Sequence, residues 1–361
     1  KGQEAEEWEA VTEAWTAHEG AVTGIDTAGG YGDLGGVSGV VTSGGDGCLR
    51  LFELAIGGET MSDGSPAINP YLSLRGQVAV HLDRASGVAS TPRRCVTVGE
   101  DGAASLVDLR RLDGALPGGV VGRRGGGGSG GDCVVWKGRA KGALPLSGVT
   151  FQGESEEIFA TVGCDPNGQL MVWDSRMGNR PAHVLTGSGG RSSSGDKHAP
   201  YLSIASQPFS PEMFACGAST GEVLIFDVRA AGRERVVHEM QFQEYAGSGG
   251  GIWGLAFHPP KPRHLLTCMG TGALMRWFLP PLGRAAPSSG ALGNGIAGHV
   301  QDFSSEGEGD ASKWHGGRKL CELPSRSALV GVCYDEGADT VSSVSKLGHL
   351  IVAHAVKGLR L

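Results

Sequence analysis

The sequence predicts an all-β protein built from repeated antiparallel sheets that pack around a common axis. Three observations carry this. Glycine makes up 63 of the 361 residues, more than twice the usual share of about 7%. Each interior Gly costs a helix roughly 1 kcal/mol, so few long helices fit such a chain. Six segments repeat one pattern: an apolar run, a small-residue turn ending in Gly, and a second apolar run. No amphipathic helix separates these runs, which excludes an alternating α/β sheet.

The repeated segments read VVTSGGDGCLRLFEL (residues 40–54), CVTVGEDGAASLVDLR (95–110), IFATVGCDPNGQLMVWDSR (158–176), MFACGASTGEVLIFDVR (213–229) and LLTCMGTGALMRWFL (265–279), with a weaker copy in TVSSVSKLGHLIVAHAV (340–356). Each predicts a β-hairpin. Asp46-Gly47, Asp101-Gly102 and Asn167-Gly168 are dipeptides that accept the positive φ of a tight turn, and Gly221 and Gly272 keep the glycine. Beyond each turn, side chains alternate with period two, as in Cys48, Leu49, Arg50, Leu51 and Phe52. A further strand precedes each hairpin, at residues 20–27, 146–152, 201–209, 251–259 and 328–336. In the second unit the run QVAVHLD (77–83) takes that role.

These signals divide the chain into repeats at 17–54, 75–112, 145–185, 200–240, 250–280 and 318–357. Turn glycines are spaced more widely than the 40–45 or so residues of a compact four-stranded repeat. Gly/Ser-rich insertions at 113–131 and 187–196, and a Pro/Gly/Ser-rich then acidic stretch at 281–313, account for most of the excess. One such unit cannot bury its own faces. Radial packing of four-stranded blades solves this and leaves only short sheet edges. The expectation is therefore one β-propeller spanning 1–361. Residues 1–16 read as the remnant of a first blade, whose other strands are absent from this sequence or come from a partner.

The chemistry classes are narrowed mainly by absence. The chain carries 31 basic and 38 acidic residues, a net charge of −7, which argues against a general nucleic-acid or anionic-membrane surface. No stretch of 18 or more apolar residues predicts a membrane span. None of the eight cysteines lies in a C-x-x-C pair, so zinc is not expected, and buried thiols are. No nucleophile elbow, metalloprotease helix or phosphate-loop signature occurs. The expectation is a protein that is not an enzyme and has no catalytic residue, cofactor or metal. His18, His183 and His238 precede strands and are expected to order turns, with structural or solvated roles for the other histidines, His258 and His264 among them.

The hairpin exits VWDSR, IFDVR and LVDLR are those of WD-repeat propellers. The residues expected to form the repeat signature are Asp46, Gly47, Asp101, Gly102, Gly168, Trp173, Asp174, Gly221, Asp227, Gly272 and Trp277. Beyond the generic repeat, the chain resembles the small WD-repeat nucleoporin family of the Y-shaped outer-ring scaffold of the nuclear pore. Four units carry the likeness: CVTVGEDGAASLVDL, GVTFQGESEEIFATVGCDPNGQLMVWDSR, GEVLIFDVR and IWGLAFHPPKPRHLLTCMGTGALMRWF. The family is seven-bladed, and six repeats plus a partial blade are visible here. The resemblance implies a structural scaffold at the nuclear envelope and in the nucleus, serving protein and mRNA transport. It further implies a large hetero-oligomer with other outer-ring nucleoporins, an α-solenoid scaffold nucleoporin among them, without direct nucleic-acid contact or membrane insertion. Arg176 and Arg229, in D-x-R exits, and Trp253 are the candidate partner-binding residues. The same D-x-R pattern supports the alternative of a substrate receptor for a cullin-type ubiquitin ligase.

Overall fold

The computed structural model describes residues 18–28, 38–60, 66–115, 133–139, 142, 144–186, 199–230, 236–241, 250–258, 263–279, 317–322, 328–335, 340–345 and 350–354. Six antiparallel sheets follow one another along the chain. The first contains β1 (Val22–Ala28), β2 (Ser38–Gly44), β3 (Cys48–Thr60) and β4 (Pro66–Ala79). The second contains β5 (Ala85–Ser90), β6 (Arg94–Gly99), β7 (Ala103–Asp108) and β8 (Val134–Arg139), with one helical turn, α1 (Leu109–Leu112), before β8. The third is β9 (Leu146–Phe151), β10 (Ile158–Gly163), β11 (Gln169–Asp174) and β12 (His183–Thr186). The fourth is β13 (Tyr201–Ser206), β14 (Met213–Ala218), β15 (Glu222–Asp227) and β16 (Val236–Gln241). The fifth is β17 (Ile252–Phe257), β18 (His264–Met269), β19 (Ala273–Phe278) and β20 (Gly317–Glu322). The sixth has three strands among the described residues: β21 (Leu329–Asp335), β22 (Thr340–Ser345) and β23 (Leu350–His354).

Each sheet is a meander, and its first strand packs against the first strand of the next: β1 on β5, β5 on β9, β9 on β13, β13 on β17 and β17 on β21. These first strands are the inner strands of radial blades. The apolar cores consequently lie between sheets, as five separate wedges. Leu49, Leu51 and Val41 meet Cys95 and Val107 between the first and second sheets. Leu106 and Val96 meet Phe159, Met171 and Trp173 between the second and third. Val172 and Leu170 meet Phe214 and Phe226 in the next wedge, and Ile225 and Val223 meet Met275 and Trp277 in the one after. The last described wedge is small, with Cys268 and Leu274 against Leu329. The second strands of the second to fifth blades are buried along nearly their whole length, so both faces of these strands carry apolar, small or hydroxyl side chains.

The turns form for the reason read from the sequence. Gly47 and Gly102 have φ of 69° and 72°, the left-handed region where a Cβ is penalised. At Gly47 a Cβ would also stand 2.6 Å from the carbonyl oxygen of His81, so the turn is pinned against the segment entering the second sheet.

The outer strands differ from expectation. Residues up to Ala79 belong to the first sheet, and the inner strand of the second is β5. The run 77–83 is therefore the end of an outer strand followed by a connection, and the expected repeat 75–112 begins inside the preceding blade. Likewise β20 pairs with β19, which assigns the start of the expected repeat 318–357 to the fifth blade. The cause is physical. Outer strand β12 is exposed on most positions and carries no turn signature, and the insertions 113–131 and 281–313 part β8 and β20 from their hairpins. The expected blade remnant 1–16, the insertions 187–196 and 281–313, and most of 113–131 lie outside the described residues.

Candidate functional site

The up-and-down topology sorts side chains onto two faces. On one face, the five described hairpin turns are each tied to the segment entering the inner strand. Gly45 donates its N–H to the Ala21 carbonyl, Glu100 to Arg84, Cys164 to Pro145, Ser219 to Pro200 and Gly270 to Gly251. On the opposite face the exits of the hairpins meet the first turns. Leu109 donates to the Arg93 carbonyl, Ser175 to Glu157, Val228 to Glu212 and Leu279 to Arg263.

The turn face is ordered by buried His–Asp pairs. His18 Nδ1 lies 2.8 Å from Asp46 Oδ1 and its Nε2 2.8 Å from Thr42 Oγ1, while Arg50 donates to Asp46 Oδ2 at 2.8 Å. Burial pushes the His18 imidazole below its ordinary value. Burial alone would raise Asp46, but its hydrogen bonds from Arg50 and His18 prevail and hold it low. His81 repeats the arrangement in the second blade, with Nδ1 3.0 Å from Asp101 Oδ1, and burial lowers it too. Asp101 also accepts from the Leu82 and Ala103 N–H groups and stays below the usual carboxylate range despite its burial. His81 was missed in the sequence because its segment reads as a strand. The detectable signal is a His shortly before an inner strand with an Asp-Gly turn downstream, as at His18.

Of the remaining expected histidines, His183 lies exposed within β12 and orders no turn, because its segment pairs as an outer strand. His238 is in β16, and its side chain lies outside the described residues. Trp173 and Trp277 are buried between blades, and their indole N–H groups donate to Thr161 and Thr267 at 2.9 and 3.0 Å. Gly168, Gly221 and Gly272 carry positive φ in their turns. Cys95, Cys133, Cys216 and Cys268 are buried as expected of apolar thiols, whereas Cys164 is exposed at a turn. Burial raises the thiols of Cys95 and Cys216 well above the ordinary range.

The exit face is a row of ion pairs. Arg176 binds its own Asp174 through Nε and Nη2 at 2.9 and 2.8 Å. Arg229 binds Asp227 in the same way at 3.1 and 2.9 Å, and reaches Glu212 at 2.7 Å. The third D-x-R differs: Asp108 accepts from the backbone N–H groups of Arg110 and Arg111 and caps α1. Arg94 and Ser175 both engage Glu157. Of the three candidate partner contacts, Trp253 stands apart from Arg176 and Arg229, on inner strand β17, and is 47% exposed.

Among the described residues no three His, Cys, Asp or Glu side chains converge as a metal site. The cavity beneath the third turn, between Pro145, Asp165 and Gln169, has a volume of about 60 Å³. That is far below the several hundred Å³ or so of an ordinary ligand pocket. What this arrangement offers is two rigid faces with fixed side chains, suited to contact with another macromolecule.

No family model matches the chain. Over 111 residues it is 31% identical to nucleoporin Nup43 of Homo sapiens and 30% identical to that of Mus musculus. The match takes in 30% of this chain and 26% of either relative, so it spans about a quarter of the curated relatives' length. In three dimensions the protein is similar to a chain in the crystal structure of the mitotic checkpoint complex, with a TM-score of 0.53 at 13% identity, over 89% of this chain and 71% of that one. The fold is a WD-repeat β-propeller. The sequence likeness is to a nucleoporin.

Proposed function

We propose that the protein is a structural scaffold subunit of the nuclear pore outer ring, within the Y-shaped complex. One observation carries this reading: the identity to Nup43 in a chain whose folded residues form a propeller. The architecture supports it, since blades held by five apolar wedges make a firm platform. In this reading the protein is not an enzyme, sits at the nuclear envelope and binds other outer-ring nucleoporins, including an α-solenoid subunit. It contributes to protein and mRNA transport as architecture, without inserting in the membrane or touching nucleic acid directly.

The alternative, a receptor for a cullin-type ligase, rests on Arg176 and Arg229. Both guanidiniums are engaged by the carboxylates of their own blades, which favours a structural use of D-x-R. Affinity purification of the tagged protein with mass spectrometry tests the choice. The scaffold reading expects outer-ring nucleoporins in constant ratio. Recovery of a cullin adaptor, lost in the Arg176→Ala/Arg229→Ala double variant, would overturn it.

A further inference from the structure

Among the described residues three hairpin exits carry D-x-R, ending in Arg110, Arg176 and Arg229. In two of them the arginine is bound within its own blade. Arg176 lies on Asp174, and Arg229 lies on Asp227 and Glu212. The second blade breaks the pattern. Asp108 accepts the N–H groups of Arg110 and Arg111 as the cap of α1, and its ion pair is a long one with Arg111, at 3.9 Å. The Arg110 guanidinium has no carboxylate partner among the described residues.

The fold brings a second arginine pair to the same place. Leu109 donates its N–H to the Arg93 carbonyl at 2.9 Å, and Arg94 stands opposite Asp108 in the register of β6 and β7. Both pairs are held from behind. Thr91 closes its turn onto the Arg94 carbonyl through its N–H and its hydroxyl, at 2.8 and 3.1 Å. Fully buried Leu109 and Leu112 anchor α1, which leaves Arg110 and Arg111 exposed. Arg94 is taken by Glu157, where the third blade begins its first turn. Arg93 is exposed and, like Arg110, forms no ion pair among the described residues. Carboxylates of the first two blades nearby have their own partners. Asp26 accepts the N–H and hydroxyl of Ser90, while Glu53 and Asp113 hold Arg75. At this end of the second blade the spare charge is therefore positive, in a chain of net charge −7.

We propose that Arg93 and Arg110, with Arg111 beside them, form a docking site for an acidic segment of a partner protein. Its Asp or Glu carboxylates take the place that Asp174 and Asp227 hold against Arg176 and Arg229. A guanidinium receives a carboxylate through two parallel N–H bonds, the geometry that Arg176 shows within this chain. A phosphate backbone fits less well, since it calls for a longer cationic track than three arginines on one blade end. That the partner belongs to the pore outer ring rests on the scaffold reading above. The acidic chemistry of the segment does not.

The test uses Arg93→Lys/Arg110→Lys, which keeps both charges and supplies amines, in the full-length protein within its native assemblies. A water-soluble carbodiimide activates a carboxylate, which forms an amide with an amine it already touches as the carbodiimide leaves as its urea. The cross-linked peptides are then sequenced. The site expects a link from position 93 or 110 to an Asp or Glu in an acidic segment of another polypeptide. Arg93→Glu/Arg110→Glu is expected to weaken retention of that polypeptide about fivefold or more, with the thermal midpoint of the isolated protein unchanged. If the reversal lowers the midpoint, Arg93→Gln/Arg110→Gln gives the same readout. Links to this chain's own carboxylates alone, no link while co-purifying proteins are retained, or retention that survives charge reversal overturns the proposal. Retention abolished by nuclease overturns it as well, in favour of nucleic acid. The two readings fail separately. No carboxylate link in a protein that still co-purifies with nucleoporins removes the acidic site alone, whereas an acidic segment from a protein outside the pore removes the scaffold reading alone.

Discussion

Between the second and third blades, Trp173 is fully buried, stacked on Phe159 with Trp136 against both edges. Across the seam between the sixth and first blades, Ile25 is two-thirds exposed and faces no described wedge. Among the described residues only the first of these places joins two packed blades. The difference shows where this propeller gets its rigidity: from wedges between sheets, each filled by aromatics and aliphatics of both neighbours, rather than from a single central core. On β1, where no described blade stands against Ile25, the side chain is left at the surface.

Substitutions at the two places should therefore differ sharply. Trp173→Ala empties the aromatic centre of its wedge and is expected to cost about 3–5 kcal/mol, the range for deleting a large buried aromatic, read by denaturant unfolding. The matched change at the seam, Ile25→Ala, is expected to shift stability by no more than about 0.5 kcal/mol. Comparable losses at both sites would show that the seam is already packed. Next in size comes Gly254→Val, which drives a side chain toward Gly331 and the Val332 nitrogen. Overpacking of this kind typically costs about 1–3 kcal/mol, whereas Gly331→Val should be close to neutral in the isolated protein.

His81→Ala tests the turn face. It strips Asp101 of a buried partner, with an expected loss of about 1–3 kcal/mol in thermal or denaturant melts. The pH dependence follows from the same pairs. His18 and His81 are held below 6.5 by burial, so the unfolded chain binds protons that the folded chain refuses once the pH falls past 6.5. Stability is then full above pH 6.5 and declines on acidification. Asp46 and Asp101, held below 3.8, extend the loss to lower pH, while Asp26, raised by burial, opposes it. The thermal midpoint should fall between about pH 7.5 and about pH 5.5, and His81→Gln should flatten that slope. A profile that is level or rises on acidification would contradict the assignment. The smallest effect is expected on the exit face, where Arg176→Ala removes a solvent-exposed guanidinium while the backbone N–H at 176 still serves Asp174, and the melting curve should move least.

The blade hairpins were the legible part of the fold. Asp46-Gly47 and Asp101-Gly102 announce their turns because few other dipeptides accept that backbone, and the buried Trp173 and Trp277 mark the strands beyond. The inner strand of the second blade, ASGVAS, was not legible, since small residues give neither hydrophobic periodicity nor a turn signal. Outer strands escaped for a related reason: β8 alternates exposed with partly buried positions and looks like a connection, and insertions part β8 and β20 from their hairpins. Of the candidate surface, Arg176, Arg229 and Trp253 could be named from their positions in the repeat. That the two arginines are already held by Asp174 and Asp227 depends on rotamers the sequence does not encode.

The central claim is most directly tested by imaging the protein tagged at its own locus, alongside a marker of the nuclear envelope. The account predicts a punctate nuclear rim that persists when transport cargo is depleted, as for a fixed structural subunit. A diffuse nuclear or cytoplasmic signal with no rim would contradict it.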